Sequence, residues 1–260
     1  MPQLITRHAG AVGWLVFSNV ERHNAVTYDM WRDMPRAIHE FDTDPAIRVI
    51  AVTGDGDKAF ISGADISEFE RRRASKDATT ECNRASQAAR DALIGTSTPT
   101  VAVVRGICFG GGVGIALACD MRLAADDALF SIPAARLGLG YDYAGVKRLI
   151  DIVGPAYTAE IFATARRYGA RDALQMGLVN HAVPVAEFDA FVADYLQAIG
   201  DNAPLTVAAA MRAIDEALTP ERDRDLRAVQ DMIDQCFASE DYKEGRTAFM
   251  EKRKPLFKGR

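Results

Sequence analysis

Short runs of β-branched and other apolar residues mark the first half of the chain. The clearer runs cover residues 4–6, 12–17, 49–53 and 100–104, and weaker ones cover residues 121–125 and 128–132. Runs of this length, bounded by turn-forming residues, predict strands. Segments with helical spacing of apolar residues separate them, and after Gly145 the pattern is almost entirely helical.

Three of the helical segments carry specific signals. Thr27 is a suitable N-cap for a helix in which Pro35 predicts a kink. The apolar positions of this helix are Met30, Trp31, Met34, Ile38 and Phe41. Pro204 is predicted to begin a later helix. The charged stretch 71–91 has little apolar periodicity, and it predicts a solvent-exposed helix.

A run of three glycines precedes an apolar segment in "GICFGGGVGIALACD", residues 106–120. The segment predicts a buried helix, and the glycines either allow close packing or expose N–H donors at the helix start. A dinucleotide fingerprint needs glycine where Ile115 and Leu117 stand, which excludes a nicotinamide-dependent oxidoreductase. Neither a P-loop Lys-Ser/Thr pair nor a G-x-S-x-G elbow is present.

A second segment offers donors of the same kind. In "KAFISGADISEF", residues 58–69, the small residues Ser62, Gly63 and Ala64 follow a predicted strand and precede a predicted helix. Two backbone N–H donors from separate segments that converge on one oxygen form an oxyanion hole. The two segments together therefore favour a site that stabilises developing negative charge.

Composition narrows the classes of protein that remain. With 260 residues, 48% of them hydrophobic, the chain suits one large domain or a domain with an appendage. The net charge of -5 and the lack of a basic block argue against a nucleic-acid partner. The four cysteines have no zinc or disulfide spacing, so we expect no metal site and a reduced, cytoplasmic protein. No signal peptide or membrane span is predicted.

Seven segments in order resemble the crotonase superfamily, also called the enoyl-CoA hydratase/isomerase family. They are "ERHNAVTYDM", "FISGADISEF", "GICFGGGVGIALACD", "FSIPAARLGLG", "ARRYGARDALQMGLVNHAVP", "APLTVAAA" and "SEDYKEGRTAFMEKRKPLF". The resemblance implies an α/β fold, a crotonase-like spiral of β-β-α units with a helical C-terminal region. It implies a core over residues 1–195, an oligomerisation region over 196–260, and a homotrimer or dimer of trimers.

The resemblance also implies an acyl-CoA thioester substrate, with CoA as part of the substrate and no separate cofactor. Carried over by position, the N–H groups of Ala64 and Gly111 would bind the thioester oxygen and stabilise an enolate. The residues implied as CoA contacts are Arg22, Ser62, Ile66, Phe249 and Lys252.

Two catalytic positions of the family's hydratases differ in this chain. Where those hydratases carry glutamates, this sequence has Gly114 and Ala134. Hydration needs one group to position water and another to supply the α-proton. The usual two-glutamate hydration is therefore not expected.

Two polar residues of the loop 136–149 match other branches of the family. Asp142 matches the proton-transferring aspartate of dienoyl-CoA isomerases, and in a desolvated acyl pocket it would shuttle a proton between carbons. Tyr141 matches a tyrosine of methylmalonyl-CoA decarboxylases, whose histidine near the oxyanion loop is replaced here by Ala64. The purely structural alternative is a surface loop in which Asp142 caps the next helix and the Tyr141 ring packs against neighbouring side chains.

We therefore expect an enoyl-CoA hydratase/isomerase-type enzyme that forms a thioester enolate, with Asp142 or Tyr141 handling the proton. Hydration, isomerisation and decarboxylation all stay open. The alternatives are a decarboxylase of a malonyl-type CoA ester that uses Tyr141 and an acyl-CoA-binding protein without catalysis, for which Gly114 and Ala134 argue.

Overall fold

The computed structural model describes residues 1–65 and 76–260, with side chains in the second range described from residue 80 onward. The strands of these ranges are β1 (Gln3–Ala9), β2 (Val12–Ser18), β3 (Val49–Gly54), β4 (Ala59–Ile61), β5 (Thr100–Val104), β6 (Ile107–Phe109), β7 (Met121–Ala125), β8 (Leu129–Ser131), β9 (Tyr168–Gly169) and β10 (His181–Val183). Each run that the sequence pattern marked as a strand is found as one.

The α-helices alternate with these strands and then continue alone. They are α1 (Tyr28–Asp42), α2 (Lys76–Ile94), α3 (Gly111–Ala118), α4 (Ala134–Leu137), α5 (Tyr143–Thr164), α6 (Ala170–Gln175), α7 (Val185–Gly200), α8 (Pro204–Leu218), α9 (Leu226–Ala238) and α10 (Glu240–Glu251). Helix α5 is interrupted at Gly154, where φ is +77°. Within the described residues, no helix is long and apolar enough to cross a membrane.

The strands form two sheets, and successive strands along the chain are added to both of them. The larger sheet has the order β1-β2-β3-β5-β7-β10, and the smaller has the order β4-β6-β8-β9. Strand β1 pairs antiparallel with β2, whereas β2, β3, β5, β7 and β10 pair in parallel. After β1 and β2, the pairs β3-β4, β5-β6 and β7-β8 each add one strand to each sheet, and each pair is followed by a helix. This arrangement confirms the predicted spiral of β-β-α units.

The larger sheet is covered on both faces because its strands are apolar on both faces. From β3, Val49 and Ala51 pack with Phe188 and Val192 of α7. The alternate residue Ile50 belongs to the main core, which also contains residues of α1 and α3. The larger sheet therefore holds the successive β-β-α units in fixed positions. The two glycine-containing segments of the site follow strands β4 and β6 of the smaller sheet.

Helix α1 has the start and the buried face that its sequence predicts. The Thr27 hydroxyl accepts a hydrogen bond from the Met30 N–H at 3.4 Å, and the helix continues through Pro35. All of the predicted apolar positions are buried.

Helix α2 differs from its prediction as a solvent-exposed element. Ala89 and Leu93 are buried in the main core, and Ala85 packs against it. The signal was an apolar residue at every fourth position, which a charged and alanine-rich segment made easy to overlook. One face of α2 is therefore available to line a site.

The predicted helical C-terminal region is confirmed. Pro204 is the first residue of α8, as its sequence predicts, and α9 and α10 follow. The predicted boundary between residues 195 and 196 falls inside α7, whose Phe188 and Leu196 are both buried against the larger sheet.

Candidate active site

Residues 62–65 are fixed against residues 23–26 by backbone hydrogen bonds. The Ser62 N–H donates to His23 O at 3.0 Å, the Val26 N–H to Gly63 O at 2.8 Å, and the Asp65 N–H to Val26 O at 2.9 Å. These bonds run on both sides of Ala64, which pairs with Val26 as an isolated β-bridge. The orientation of the peptide of Ala64 is therefore set by its neighbours.

Asn24 anchors the supporting segment. Its side-chain amide donates to Asp55 O at 2.9 Å and to Ala59 O at 2.7 Å, and its Oδ1 accepts from the Asn19 N–H at 3.0 Å. The residue is 1% exposed and has φ +57°, a left-handed conformation that asparagine tolerates better than most residues. The turn 19–25, held by the buried Asn24, thus supports the loop that carries Ala64.

Two of the residues implied as CoA contacts lie beside each other in this loop. The Ser62 hydroxyl donates to Arg22 O at 3.0 Å, and Arg22 forms an ion pair of 2.9 Å with Asp65. The Arg22 side chain is 52% exposed, whereas that of Asp65 is 6% exposed. Ile66, another implied contact, lies outside the described residues.

The glycine run allows α3 to approach β4 closely. Gly110 has φ +51°, and its N–H donates to Ser131 O at 2.8 Å. A Cβ atom on Gly112 would lie 2.2 Å from Ile61 O, a distance that only glycine avoids. Close packing therefore explains Gly112, but it does not explain Gly111.

The structure brings together the two predicted oxyanion donors. A Cβ atom built on Gly111 would lie 3.7 Å from the backbone nitrogen of Ala64 and 3.5 Å from Trp31 Cζ2. Within the described residues, neither the Ala64 N–H nor the Gly111 N–H has a hydrogen-bond acceptor. Gly111 also begins α3, whose dipole places partial positive charge at its N-terminus. This arrangement can bind one oxygen atom that carries developing negative charge.

A small cavity of about 40 Å³, open to solvent on one side, lies beside Gly114. Gly114 follows Gly111 by about 4.5 Å along the axis of α3, so the cavity lies close to the donor pair. Helices α2 and α3 and the start of α5 line it. We name it the Gly114 cavity; its polar lining side chains are those of Gln87, Arg90, Tyr141, Asp142 and Arg148.

Tyr141 contributes a polar group in a poorly solvated position. Its ring packs against Phe162 with a centroid separation of 4.9 Å. Burial raises the pKa of the Tyr141 hydroxyl above its ordinary value, an effect that Arg90 opposes and Asp142 reinforces. The hydroxyl has no hydrogen-bond partner among the described residues. It is therefore a protonated donor at neutral pH.

Asp142 combines a structural contact with an accessible carboxylate. It is the N-cap of α5, and Oδ1 accepts from the Gly145 N–H at 2.6 Å. Oδ2 lies 3.5 Å from Arg90 Nη2, and the side chain is 53% exposed. The desolvation expected at Asp142 is thus found at Tyr141 instead, because the cap turns the carboxylate toward the open mouth.

Arg90 is one of three polar lining residues, with Gln87 and Arg148, that the sequence did not suggest. Its Cδ would lie 3.7 Å from a Cβ atom on Gly114, and its side chain is 20% exposed. Nη2 donates to Gln87 Oε1 at 2.6 Å. The available signal was its place next to Ala89 on the face of α2 that packs into the core.

Three other positions lie outside the lining of the Gly114 cavity. Ala134 is buried as the first residue of α4. Phe249 is 82% exposed and lines a groove between α8, α9 and α10, which shares no lining residue with the Gly114 cavity. Lys252 ends α10 with φ +55°. Within this single chain, the two implied C-terminal CoA contacts are thus separate from the cavity.

Comparisons with known proteins show the family of this chain. The family model "Enoyl-CoA hydratase/isomerase" matches residues 7–260. A crotonyl-CoA hydratase from Syntrophomonas wolfei is 33% identical over 90% of this chain and 89% of its own. A carnitinyl-CoA dehydratase from Escherichia coli K12 is 36% identical over 91% of each chain.

Solved structures give the same result for the fold. An enoyl-CoA hydratase/carnithine racemase from Magnetospirillum magneticum has a TM-score of 0.94 at 30% identity, covering 100% of this chain and 97% of its own. A putative enoyl-CoA hydratase/isomerase family protein from Hyphomonas neptunium has a TM-score of 0.93 at 33% identity, covering 99% and 98%. The chain belongs to the enoyl-CoA hydratase/isomerase family of the crotonase superfamily, and it is an acyl-CoA enzyme of the hydratase/isomerase type.

Proposed function

We propose that the chain binds the thioester carbonyl oxygen of an acyl-CoA between the N–H groups of Ala64 and Gly111 and stabilises the enolate. The observation that carries this proposal is the close approach of the two residues, 3.7 Å between Ala64 N and a Cβ position on Gly111. Both donors are backbone groups held by rigid elements, so they need not reorganise as charge develops. Removal of one such donor lowers the catalytic rate by about a hundredfold to a thousandfold.

In this proposal, the polarised carbonyl makes the neighbouring carbon acidic. A base removes the α-proton, the electron pair moves onto the thioester oxygen, and the oxygen becomes an oxyanion that the two N–H groups bind. When the enolate collapses, a proton returns to a carbon of the acyl chain. This route serves isomerisation directly and provides the intermediate for other reactions at the α-carbon.

The two polar residues of the loop after α4 supply the proton transfers. Asp142 presents a half-exposed carboxylate, which makes it the base. Tyr141 stays protonated because burial raises the pKa of its hydroxyl, so it acts as a hydrogen-bond donor or acid. Asp142 is the one carboxylate in the described lining of the Gly114 cavity. A proton shift by one base fits this lining better than hydration by two carboxylates.

Decarboxylation of a malonyl-type CoA ester is the second candidate, and the unpartnered Tyr141 hydroxyl favours it. The bond from the α-carbon to the carboxylate breaks, carbon dioxide leaves, and the electron pair forms the same enolate. Tyr141 then protonates the α-carbon. This reaction needs an acid and an oxyanion hole but no base, so it would proceed without Asp142.

We also propose that Arg22, Ser62, Ile66, Phe249 and Lys252 contact the CoA part of the substrate. Arg22 supports this with a half-exposed guanidinium beside the loop of Ala64. CoA carries phosphates, which charged side chains bind through charge-assisted hydrogen bonds. Arg22→Gln and Lys252→Gln should each weaken acyl-CoA binding measured by calorimetry.

Residues 196–260 are proposed to be the oligomerisation region of a homotrimer or dimer of trimers. Phe237, Phe249 and Met250 support this, since they are 61%, 82% and 80% exposed in the single chain. Apolar exposure of this kind marks interaction sites. Light scattering should give three or six times the chain mass, and Phe237→Ser should lower it.

A panel of CoA thioesters followed by mass spectrometry separates the reactions. A gain of water identifies hydration, a loss of carbon dioxide identifies decarboxylation, and an unchanged mass with a shifted double bond identifies isomerisation. Tyr141→Phe should slow either proposed reaction, whereas Asp142→Asn should slow isomerisation and leave decarboxylation unchanged. Saturable binding of esters without turnover of any would overturn the enolate mechanism.

A further inference from the structure

We propose that the Gly114 cavity accepts an acyl group with a second carboxylate and that Arg90 binds this carboxylate. This inference rests on the proposed function, because it assumes that an acyl-CoA thioester occupies the donor pair of Ala64 and Gly111. It adds the chemical class of the acyl group and assigns a binding role to Arg90.

The position of Arg90 is the first observation. Its Cδ lies 3.7 Å from the place of a Cβ atom on Gly114, one turn of α3 beyond Gly111. Because Gly114 has no side chain, nothing from α3 stands between the Arg90 stem and the cavity. An acyl chain that followed α3 from Gly111 would pass Gly114, beside which the Arg90 stem lies.

The unused donors of Arg90 are the second observation. Nη2 donates to Gln87 and approaches Asp142, whereas Nε and Nη1 have no acceptor among the described residues. No buried side-chain N or O in the described part of the chain lacks a partner, so these two donors are accessible. A guanidinium with two accessible N–H groups suits a carboxylate, which it can bind in a bidentate manner.

The charge of the cavity is the third observation. Among its described lining residues, Arg90 and Arg148 are cationic and Asp142 is anionic. Arg148 Nε donates to Leu117 O at 2.9 Å, which fixes this second cation at the wall. The lining therefore has a formal charge of one positive unit, and one ligand carboxylate would neutralise it. Apolar Ile94 and Leu117 in the same lining limit solvation and strengthen the attraction.

The contact between Arg90 and Asp142 does not prevent this role. It is 3.5 Å long, and the Asp142 carboxylate is half exposed and already accepts the Gly145 N–H. Exposed ion pairs of this kind contribute little to stability. A ligand carboxylate can therefore take the guanidinium while Asp142 keeps its cap. If Arg90 instead only fixed α2 to α5, its removal would affect all acyl groups equally.

Calorimetric titration with three matched pairs of CoA thioesters tests the proposal. The pairs are malonyl and propanoyl, succinyl and butanoyl, and glutaryl and pentanoyl, each differing by a terminal carboxylate in place of a methyl group. At least one carboxylated ester should bind more tightly than its partner. Arg90→Gln should weaken that ester by about tenfold or more, as expected for a lost charge-assisted hydrogen bond, and change its partner less than twofold.

Matched variants separate a specific contact from general effects of charge or fold. Arg84→Gln removes the same charge from an exposed position of α2 and should change neither ester. Arg90→Lys keeps the charge without the fork and should recover part of the preference. Added salt should reduce the preference of the unaltered protein, a check that does not depend on how the variants fold.

The outcomes distinguish this inference from the proposed function. If the unaltered protein binds no thioester, both fail. If it binds the esters but favours no carboxylated member of any pair, this inference alone fails. Equal weakening of both members of a pair by Arg90→Gln also overturns it, since that result indicates a structural role.

Discussion

The backbone nitrogen of Ala64 lies 3.7 Å from the position that a Cβ atom would take on Gly111. One residue belongs to the loop after β4 and the other begins α3, and each is held by its own set of backbone bonds. Strands β4 and β6 are neighbours in the smaller sheet, so the segments that follow them meet at one edge. The fold therefore brings Ala64 and Gly111, the proposed donor pair, close together by itself.

Gly111→Ala should reduce the turnover of an acyl-CoA substrate by about a hundredfold, because its methyl group would keep the thioester oxygen away from the two N–H donors. The new methyl group would meet Trp31 and Ala64 at 3.5 and 3.7 Å, ordinary contacts that leave the fold intact. It would, however, stand where the thioester oxygen binds. Kinetics with an active ester, together with the melting temperature, measure both effects.

Gly112→Ala is the matched control. It should lower the stability of the protein, whereas Gly111→Ala should lower its turnover and leave its fold intact. Its Cβ would lie 2.2 Å from Ile61 O, so the helix must move away from β4. Overpacking of this kind costs about 1–3 kcal/mol in the free energy of unfolding. A more stable Gly112→Ala protein, as helix propensity alone would give, would contradict the close packing described for α3 and β4.

Asp142→Asn should lower the rate of a proton-shift reaction about a hundredfold or more while the stability changes little. Asparagine caps a helix about as well as aspartate, so the contact with the Gly145 N–H survives. The base is lost because an amide cannot accept the proton. Asp142→Ala should lose both the helix cap and the base, so both its stability and its rate should fall. A full rate in Asp142→Asn would show that Asp142 is not the base.

Tyr141→Phe should make the protein more resistant to alkaline unfolding. Burial raises the pKa of Tyr141 above 10.0 in the folded chain, so the unfolded chain releases this proton first as the pH rises. The free energy of unfolding of the unaltered protein then falls above about pH 10, by up to about 1.4 kcal/mol per pH unit. The melting temperatures of both proteins should be measured between about pH 8 and about pH 11, a range that spans the ordinary tyrosine pKa of about 10. The two curves should diverge only at the alkaline end.

Asn24→Ala should destabilise the protein by about 3 kcal/mol. The change leaves Asp55 O, Ala59 O and the Asn19 N–H without their partner, and each unsatisfied buried group costs about 1 kcal/mol or more. Alanine also resists the left-handed conformation at φ +57°. Asn24→Gly relieves only the strain, so denaturant unfolding of both variants separates the two effects.

The sequence predicts the fold well because its signals are local. The strand runs, the Thr27 cap and the start of α8 at Pro204 each depend on a few adjacent residues, and all are confirmed. The family resemblance adds the order of the units, which local patterns do not contain.

The surroundings of the Gly114 cavity were harder to predict because they depend on contacts between distant segments. Arg90 and Gly114 are far apart in the sequence. The spacing of Ala85, Ala89 and Leu93 indicates an apolar face of α2, but it does not indicate that this face turns toward α3. The desolvation of Tyr141 rather than Asp142 likewise follows from the way α5 packs, with Phe162 against the Tyr141 ring. The capping role of Asp142 was a local signal, and it was among the alternatives.

Solvent deuterium in the acyl chain tests the central claim most directly. Any reaction through a thioester enolate protonates carbon, so incubation of an active acyl-CoA with the protein in D₂O should place deuterium at the α-carbon or at the position conjugated to it, detected by mass spectrometry. The account predicts incorporation by the unaltered protein and about a hundredfold slower incorporation by folded Gly111→Ala. Equal incorporation by folded Gly111→Ala would contradict an enolate bound by Ala64 and Gly111.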